Sequence, residues 1–414
     1  MKRNVVQSAV GLMLIALTAA CGAKNDNAAG GASSQTSFDQ LPVAAFEQLP
    51  VVAERVQLPD GSSIVVADPG KAGEKVTLKL SDLADDLKIV RLENSDDALV
   101  GAGQTWITGD RIIVYSDGVV KQFDFEGKYL GQIGAKGNGP GEYSIAPYDL
   151  YVDADAGRIY MVQYNATNLM SYNSDGTFAG DIPLARQMPK GAVRVDTKRQ
   201  RITAVSICFD GSKSRDEVWE QDFDGNLLSS VSMPWLEMPM DFSNELYSNI
   251  GSRAEGFSYA MFRIDAAADS LYEYDGRTLR PVFTAGIKEG LMHQYNRLGS
   301  MYLFLSFGEP QAVSDNSYVI PSQTPMLVDP VSLRGAYCNI MVDCIGEVRW
   351  DSGWAFSKSP GYFVMNSSPG GLSSWIDKSI ERYDVTGDEL KKLKDFQATL
   401  DEDDNNIVIF GRWK

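Results

Sequence analysis

The sequence is poor in histidine, with a single one, His293, among 414 residues. Zinc sites that need two histidine ligands are therefore excluded. A Ser-His-Asp triad could use only His293, which has no nucleophile motif beside it. Beyond the N-terminal segment, no apolar run approaches the roughly 18 residues that a membrane-spanning helix needs. We expect no metal centre, no bound cofactor and no further membrane span.

Basic residues are also scarce. The chain has 38 Lys and Arg residues against 55 Asp and Glu residues, which gives a formal net charge of −17. Binding to the phosphate backbone of DNA or RNA requires clustered basic side chains, and the sequence has no such cluster. We therefore exclude a nucleic-acid partner and expect an acidic, soluble domain that repels anions.

Cysteine occurs four times, and the first one marks a targeting segment. Residues 1–21 begin with two basic residues, continue with a short apolar run and end in Thr18-Ala19-Ala20-Cys21. This segment resembles a bacterial lipoprotein signal, in which Cys21 becomes the acylated N-terminus, although a large aliphatic residue is more usual than Thr18. The alternative is an ordinary secretory signal. Residues 22–37 lack aromatic and branched aliphatic side chains, so we predict a flexible tether.

The remaining cysteines are Cys208, Cys338 and Cys344. Outside the cytoplasm a disulfide is permitted. In one straight strand Cys338 and Cys344 would lie about 20 Å apart, so a bridge between them requires a turn near Val342-Asp343. The alternative is that all three are buried thiols.

Four turns of one kind recur at nearly constant spacing. They contain Gly127, Gly176, Gly225 and Gly276, which lie 49, 49 and 51 residues apart, and each stands between two apolar or aromatic runs. A period near 50 residues is typical of repeat architectures, and each repeat divides into four short strands separated by Gly, Asp and Asn. The pattern predicts a six-bladed β-propeller of four-stranded blades.

The two ends of the chain complete this prediction. The sixth repeat, which we start at Glu347–Trp350, is one strand short, whereas Lys88–Leu92 is a strand without a repeat. A closed ring would pair Lys88–Leu92 with the C-terminal strand, which removes exposed sheet edges; an open solenoid is the alternative. We therefore divide the chain into a lead-in with short strands (38–87) and an all-β propeller (88–414).

Helical periodicity interrupts the last blade between residues 372 and 400. Leu390, Leu393, Phe396 and Leu400 recur at helical spacing, and Thr386 to Glu389 fits a capping box. The insert has an apolar face and a charged face. We expect it to pack on the side of the propeller, with docking of a partner as the second possibility.

The string Ile133-Gly-Ala-Lys-Gly-Asn-Gly-Pro-Gly-Glu-Tyr143, with Phe123-Asp124 and Gly127 before it, resembles a known family. It is similar to the TolB-like and NHL-like six-bladed β-propeller lipoproteins of Gram-negative anaerobes. The resemblance covers roughly residues 75–414. It implies a protein of the cell envelope, lipid-anchored at the outer membrane and facing the periplasm or the surface. It supplies no catalytic residues.

A propeller binds ligands at the mouth of its central channel, where loops between second and third strands meet the connections between blades. Loops on a rigid scaffold concentrate binding residues. These loops offer aromatic surface and hydrogen-bonding groups suited to a sugar or a peptide. Packing between blades and turn capping are the alternative roles for the same side chains. The candidate ligand-binding residues are Tyr143, Tyr164, Asn165, Asp210, Arg253, Gln323 and Asn366.

The function predicted from these features is that of a binding or scaffolding module. Its partner would be a glycan, a peptide or an envelope protein, and its only membrane contact would be the N-terminal lipid. The alternative is a carbohydrate-active enzyme, a glycan lyase or hydrolase that uses two carboxylates at the channel mouth. A purely structural part of an assembly is the third hypothesis. No carboxylate pair can be chosen from the sequence.

Overall fold

A computed structural model describes residues 42–101, 103–209, 211, 216–233, 236–237, 245–248, 257–262, 270–286, 293–308, 311–314, 317–319, 323–350, 359, 361–383 and 385–414. The predicted signal peptide with Cys21, the predicted tether, Asp210 and Arg253 lie outside these residues. Strands predominate in the described part, and none of the helices there has the length and apolar content needed to cross a bilayer.

The N-terminal part of the described chain contains four strands, one short α-helix and two 3₁₀ turns. The 3₁₀ turns are Phe46–Gln48 and Pro69–Lys71. The other elements are β1 (Ala53–Gln57), β2 (Ser63–Ala67), β3 (Val76–Lys79), α1 (Leu80–Leu83) and β4 (Ala84–Arg91).

Three four-stranded antiparallel sheets follow, which we number blades 1 to 3. Within each blade consecutive strands pair, and the first strands of neighbouring blades contact each other around the centre. A short parallel pair, β9 and β10, lies in the connection between blades 1 and 2. The bounds are β5 (Gln104–Thr108), β6 (Arg111–Ser116), β7 (Val119–Phe123), β8 (Tyr129–Gln132), β9 (Ala135–Lys136), β10 (Glu142–Tyr143), β11 (Asp149–Asp153), β12 (Arg158–Val162), β13 (Ala166–Asn173), β14 (Phe178–Met188), β15 (Gly191–Asp196), β16 (Arg201–Ser206), β17 (Asp216–Asp222) and β18 (Leu227–Ser232).

Blades 4 and 5 repeat this order, and blade 6 completes the ring with two helices inserted before its last strand. The hairpin formed by β25 and β26 stands apart from the blade sheets. The bounds are β19 (Glu245–Ser248), β20 (Phe257–Phe262), β21 (Leu271–Tyr274), β22 (Leu279–Ala285), β23 (His293–Leu298), β24 (Met301–Ser306), β25 (Gln311–Ser314), β26 (Ser317–Val319), β27 (Met326–Val328), β28 (Gly335–Val342), β29 (Val348–Trp350), β30 (Tyr362–Ser367), α2 (Pro369–Tyr383), α3 (Gly387–Gln397) and β31 (Ile407–Trp413).

The predicted ring closure is confirmed. Strand β31 lies between β30 and β4, and Ile409 of β31 stands opposite Ile89 of β4. The outer strand of blade 6 therefore comes from the N-terminal part of the chain and its neighbour from the C-terminus. This pairing excludes the open solenoid and confirms the six-bladed all-β propeller.

Asparagine side chains reinforce this closure at one end of blade 6. The Asn405 amide donates to the carbonyl oxygens of Glu93 (2.8 Å) and Ala98 (2.9 Å), and its oxygen accepts the Val100 N–H (3.0 Å). Asn405 is only 3% exposed. A buried amide with these three bonds fixes the chain that leaves β4 against the chain that enters β31.

The N-terminal strands extend blades that form more than 200 residues later. β1 and β2 form a hairpin, and β2 pairs in parallel with β22 of blade 4, with Val65 opposite Phe283. β3 pairs in parallel with β28 of blade 5, with Thr77 opposite Asn339. Blades 4 and 5 therefore have more than the four strands predicted, because the lead-in covers their outer edges.

The four recurring turns join the third and fourth strands of blades 1 to 4. All four glycines have positive φ angles, between +83° and +92°, which side chains other than glycine adopt only with strain. Three of them also approach the neighbouring blade closely. A Cβ at Gly127 would collide with the Arg91 carbonyl oxygen, and one at Gly176 with the Gln132 carbonyl oxygen. The repeated glycine therefore serves both the turn and the contact between blades.

Two sequence predictions about the later repeats are wrong in detail, and a third, the helical insert, is confirmed with different bounds. Residues 348–350, which we placed at the start of the sixth repeat, form β29 and pair with β28 of blade 5, because the chain reverses before Gly346 (φ +112°). The helical insert begins at Pro369 and divides into two helices. Thr386 is the N-terminal capping residue of α3, but its side chain makes no capping hydrogen bond.

The cysteines form no disulfide within the described residues. Cys208 and Cys338 are buried, whereas Cys344 is exposed in the turn that follows β28. Of the two possibilities that the sequence left open, a bridge between Cys338 and Cys344 is therefore absent, and the alternative of three buried thiols holds for two of the three. Cys338 faces the core between blades 5 and 6, while the turn carries Cys344 out of it.

Candidate ligand-binding site at the propeller mouth

The repeated antiparallel order places a defined set of residues at one end of the propeller. The inner strand of each blade begins at this end, and the loops between second and third strands lie there too. We call this end the mouth. Four residues that meet there form what we call the mouth cluster, namely Tyr148, Tyr164, Lys190 and Glu245.

The members of the mouth cluster come from three consecutive blades. Tyr148 immediately precedes the inner strand of blade 2, Lys190 immediately precedes that of blade 3, and Glu245 begins that of blade 4. Tyr164 lies in the loop between β12 and β13 of blade 2. Since inner strands surround the central axis, their first residues converge across the mouth.

Lys190 and Glu245 form an ion pair between blades 3 and 4. The Lys190 Nζ lies 2.6 Å from the Glu245 Oε1, and the side chains are 2% and 22% exposed. The Ile207 N–H donates to the Lys190 carbonyl oxygen (2.9 Å), which fixes the backbone beneath the pair. Removing one partner from a pair as buried as this takes the opposite charge away from the other, at a cost of about 3–5 kcal/mol.

Two tyrosine rings enclose the lysine. Tyr148 and Tyr164 meet edge to face with ring centroids 5.1 Å apart. The Lys190 Nζ lies 6.0 Å from the centroid of Tyr148 and 5.7 Å from that of Tyr164, within the range of a cation–π interaction. Burial, and then the negative charge of Glu245, raise the pKa of Tyr164 to about 12. Its hydroxyl is therefore protonated at neutral pH and can donate a hydrogen bond.

Tyr148 also connects blade 2 directly to blade 4. The Leu246 N–H donates a hydrogen bond to the Tyr148 hydroxyl (2.8 Å). The same hydroxyl donates to the Leu246 carbonyl oxygen (3.2 Å). The tyrosine thus reaches past the inner strand of blade 3. These two bonds hold Glu245, the preceding residue, in place opposite Lys190.

Asn165 presents a polar side chain beside the cluster. Asn165 is exposed, and its φ angle is +53°, a left-handed conformation that asparagine tolerates better than most residues. The Asn165 N–H donates to the Pro189 carbonyl oxygen (2.9 Å), which ties this loop to the residue before Lys190. The loop therefore holds Tyr164 and Asn165 at fixed positions on the mouth.

A second acid lies next to the hydrophobic cluster that contains Tyr148 and Leu246, because its chain neighbour Val218 belongs to that cluster. Glu217 is 1% exposed, and its Oε2 accepts the Met233 N–H (2.6 Å). Burial raises the pKa of Glu217 to about 7. Burial, and then Glu217, raise the pKa of the neighbouring Cys208 thiol. This part of the molecule therefore holds one carboxylate in an ion pair and one acid close to half-protonated at neutral pH.

The other predicted site residues occupy different positions. Tyr143 is 1% exposed and accepts the Val120 N–H (2.9 Å) in the core between blades 1 and 2, so packing between blades, the alternative role, is the one it has. Asn366 donates to Thr105 Oγ1 (2.9 Å) and accepts from Asn406 (2.9 Å), which makes it part of the ring closure. Gln323 is exposed in the corresponding loop of blade 5.

Of the residues predicted from sequence, Tyr164 and Asn165 therefore lie at the mouth cluster. The sequence analysis missed Tyr148, Lys190 and Glu245. Each stands at or directly before the first residue of an inner strand, so a strict alignment of the repeats could have found them. Lys190 has one further signal, because it is a lone lysine ahead of the apolar residues Gly191–Val193.

These observations define a six-bladed β-propeller whose mouth carries a buried ion pair between tyrosines. Residues 64–298 match the family described as Domain of unknown function (DUF4934), and the chain belongs to this family. No curated protein sequence matches the chain.

Solved structures share the fold at low sequence identity. The crystal structure of a Bacteroides fragilis NCTC 9343 protein, described as exported, is similar with a TM-score of 0.52 and 16% identity over 85% of this chain and 99% of that one. A member of the DUF4221 family from Bacteroides vulgatus has a TM-score of 0.43 and 12% identity over 80% of this chain and 97% of that one. The first of these similarities supports the propeller fold.

Proposed function

We propose that the protein is a lipid-anchored, extracytoplasmic binding module that holds a glycan, a peptide or a partner protein at the propeller mouth. The observation that carries this proposal is the mouth cluster, where Tyr148 and Tyr164 enclose the Lys190–Glu245 pair. Aromatic surface with a few fixed polar groups is the common equipment of ligand sites. A glycan is the occupant that these groups favour most.

The charge balance of the mouth cluster supports a neutral sugar. Glu245 already compensates Lys190, so the cluster does not need an anionic ligand. A sugar ring can pack on the face of Tyr164, while its hydroxyl groups exchange hydrogen bonds with the Tyr164 hydroxyl and the exposed amide of Asn165. Peptides and protein loops offer similar groups and remain the second class of occupant.

The cellular location belongs to the same proposal. The signal-like segment that ends in Cys21 supports acylation and attachment to the cell envelope, with the outer membrane as the expected site. The resemblance to TolB-like and NHL-like propeller lipoproteins supports the same location. The similar Bacteroides fragilis protein is described as exported, which agrees with it.

Screening the purified protein against glycan and peptide arrays tests the binding proposal. We expect at least one ligand whose affinity falls about tenfold or more when Tyr164 is replaced by alanine, because the ring supplies stacking surface. The matched control is Tyr129→Ala, which removes a partly buried tyrosine from the outer strand of blade 1. Equal losses in both variants, or no ligand on either array, would count against a mouth site.

A carbohydrate-active enzyme is the second candidate, and Glu217 is the observation that favours it. A carboxylic acid with a pKa of about 7 could act as a general acid, with Glu245 of the mouth cluster as the second carboxylate. Its burial argues for a structural role instead. Shortened or unsaturated products from a bound glycan, lost in both Glu217→Gln and Glu245→Gln, would establish catalysis and overturn the binding-only proposal.

A further inference from the structure

Val331 has the most exposed large apolar side chain among the described residues, at 85%. It lies in the turn between β27 and β28 of blade 5. Val51, which is 53% exposed, lies just before β1. It forms an antiparallel bridge with Arg334, which belongs to the same turn as Val331. Two exposed aliphatic side chains therefore belong to adjoining segments at the outer edge of one blade. Exposed apolar side chains on adjoining segments can form part of an interaction surface.

The turn holds Val331 in a fixed position. Asp329 accepts the N–H groups of Val331 and Ser332 (both 3.0 Å) and the Ser332 hydroxyl (2.5 Å). Arg55 of β1 donates to the Pro330 carbonyl oxygen (2.6 Å). Leu333 adopts a φ angle of +60°, a strained conformation that these bonds maintain. These bonds therefore hold the turn so that the Val331 side chain projects in one orientation.

The position of the turn relates it to the N-terminal anchor. The turn joins a third strand to a fourth strand, so it lies at the end of the propeller opposite the mouth. Pro42, at the start of the described chain, accepts the Thr77 N–H (2.9 Å) on β3, which borders β28 of the same blade. The tether predicted from the sequence lies between Cys21 and this point, and 20 residues of such a chain would span about 25 Å on average.

We propose that Val331 and Val51 form a membrane-contact surface that lies on the bilayer carrying the lipid anchor. The inference rests on the proposed acylation of Cys21. The aliphatic tips enter the boundary of the acyl chains, and the guanidinium groups of Arg55 and Arg334 lie at the level of the headgroups. The tether makes the contact intramolecular, so a small surface suffices. The mouth then faces away from the membrane and is open to ligands.

Tryptophan quenching by brominated lipids tests this orientation. The full-length acylated protein carrying Val331→Trp is reconstituted into phosphatidylcholine–phosphatidylglycerol vesicles with brominated acyl chains. The matched variant is Leu99→Trp, which places tryptophan at a 46% exposed aliphatic position on the mouth side, between β4 and β5. Relative to unbrominated vesicles, we expect the emission added at position 331 to fall at least twice as much as that added at position 99.

Two further measurements separate this inference from the proposal on which it rests. The intact mass of the purified protein reports acylation, and flotation reports attachment to the vesicles. If the protein is acylated and floats, but quenching at position 331 is no greater than at position 99, the membrane-contact surface is wrong and the anchor remains. If the mass shows no acyl chain, the proposed anchor is wrong, and the membrane-contact surface, which depends on that anchor, is wrong as well.

Discussion

Replacing Gly176 with alanine should lower the free energy of unfolding by about 3–4 kcal/mol, as the sum of two effects. The φ angle of +85° costs a side chain about 1–2 kcal/mol. In addition, the new Cβ would collide with the Gln132 carbonyl oxygen of blade 1, so the two blades must separate locally. Equilibrium unfolding in guanidinium chloride, followed by tryptophan fluorescence, measures the loss.

Gly276 provides the matched control for this prediction. It occupies the same turn of blade 4 with a φ angle of +92°, but nothing lies within 4 Å of the position that its Cβ would take. Gly276→Ala should therefore cost only the conformational term, about 1–2 kcal/mol. Similar losses in the two variants would show that the repeated glycine serves the turn alone and not the contact between blades.

Replacing Lys190 with methionine should destabilise the protein by about 3–5 kcal/mol, because Glu245 would lose the lysine of its ion pair in a largely buried site. The double variant Lys190→Met/Glu245→Gln removes both charges and should recover much of this loss. Thermal and denaturant unfolding of the two single variants and the double variant measure the coupling between the residues.

An exposed ion pair supplies the control for the buried one. Lys198 and Asp155 lie 3.6 Å apart, with 74% and 84% of their side chains exposed. Lys198→Met should change stability by less than about 1 kcal/mol. If Lys190→Met costs no more than Lys198→Met, or if the double variant loses the sum of both single losses, the ion pair does not organise the mouth.

The overall fold could be predicted because its main determinant, the repeated glycine turn, is a short segment of sequence. Gly127, Gly176 and Gly225 stand at each repeat because the turn needs a positive φ angle and the adjacent blade leaves little or no room for a Cβ. The period of these glycines therefore reports the architecture directly. Ring closure could be predicted because Lys88–Leu92 is a strand that belongs to no repeat, while the sixth repeat lacks one strand. The structure pairs β4 with β31 as this prediction requires.

The role of the N-terminal lead-in could not be predicted. β2 and β3 pair with strands more than 200 residues away, and they carry no part of the repeated pattern. Their apolar residues indicate strands, but nothing local indicates a partner. The same holds for β29, since an apolar run after a turn can either start a new blade or return to the one before it.

The candidate site was harder to predict than the fold for a related reason. Lys190 and Glu245 are 55 residues apart, and neither belongs to a motif; only the ring brings the starts of neighbouring inner strands together. Tyr143 shows the converse error. An aromatic residue in a glycine-rich loop suggests a binding surface, but the adjacent blade buries it. Exposure in a propeller depends on the neighbouring blade, which local sequence does not reveal.

Cross-linking of the first and last strands tests the closed ring most directly. Val90 and Val408 are paired neighbours on β4 and β31, and both are buried. With Cys208, Cys338 and Cys344 replaced by serine or alanine, the variant Val90→Cys/Val408→Cys should form an intramolecular disulfide under mild oxidation. Mass spectrometry of the digest would identify it. The control variant Val56→Cys/Val408→Cys, with one cysteine on β1 of blade 4, should not cross-link. A disulfide in the control but not between positions 90 and 408 would contradict the closed ring and the mouth that depends on it.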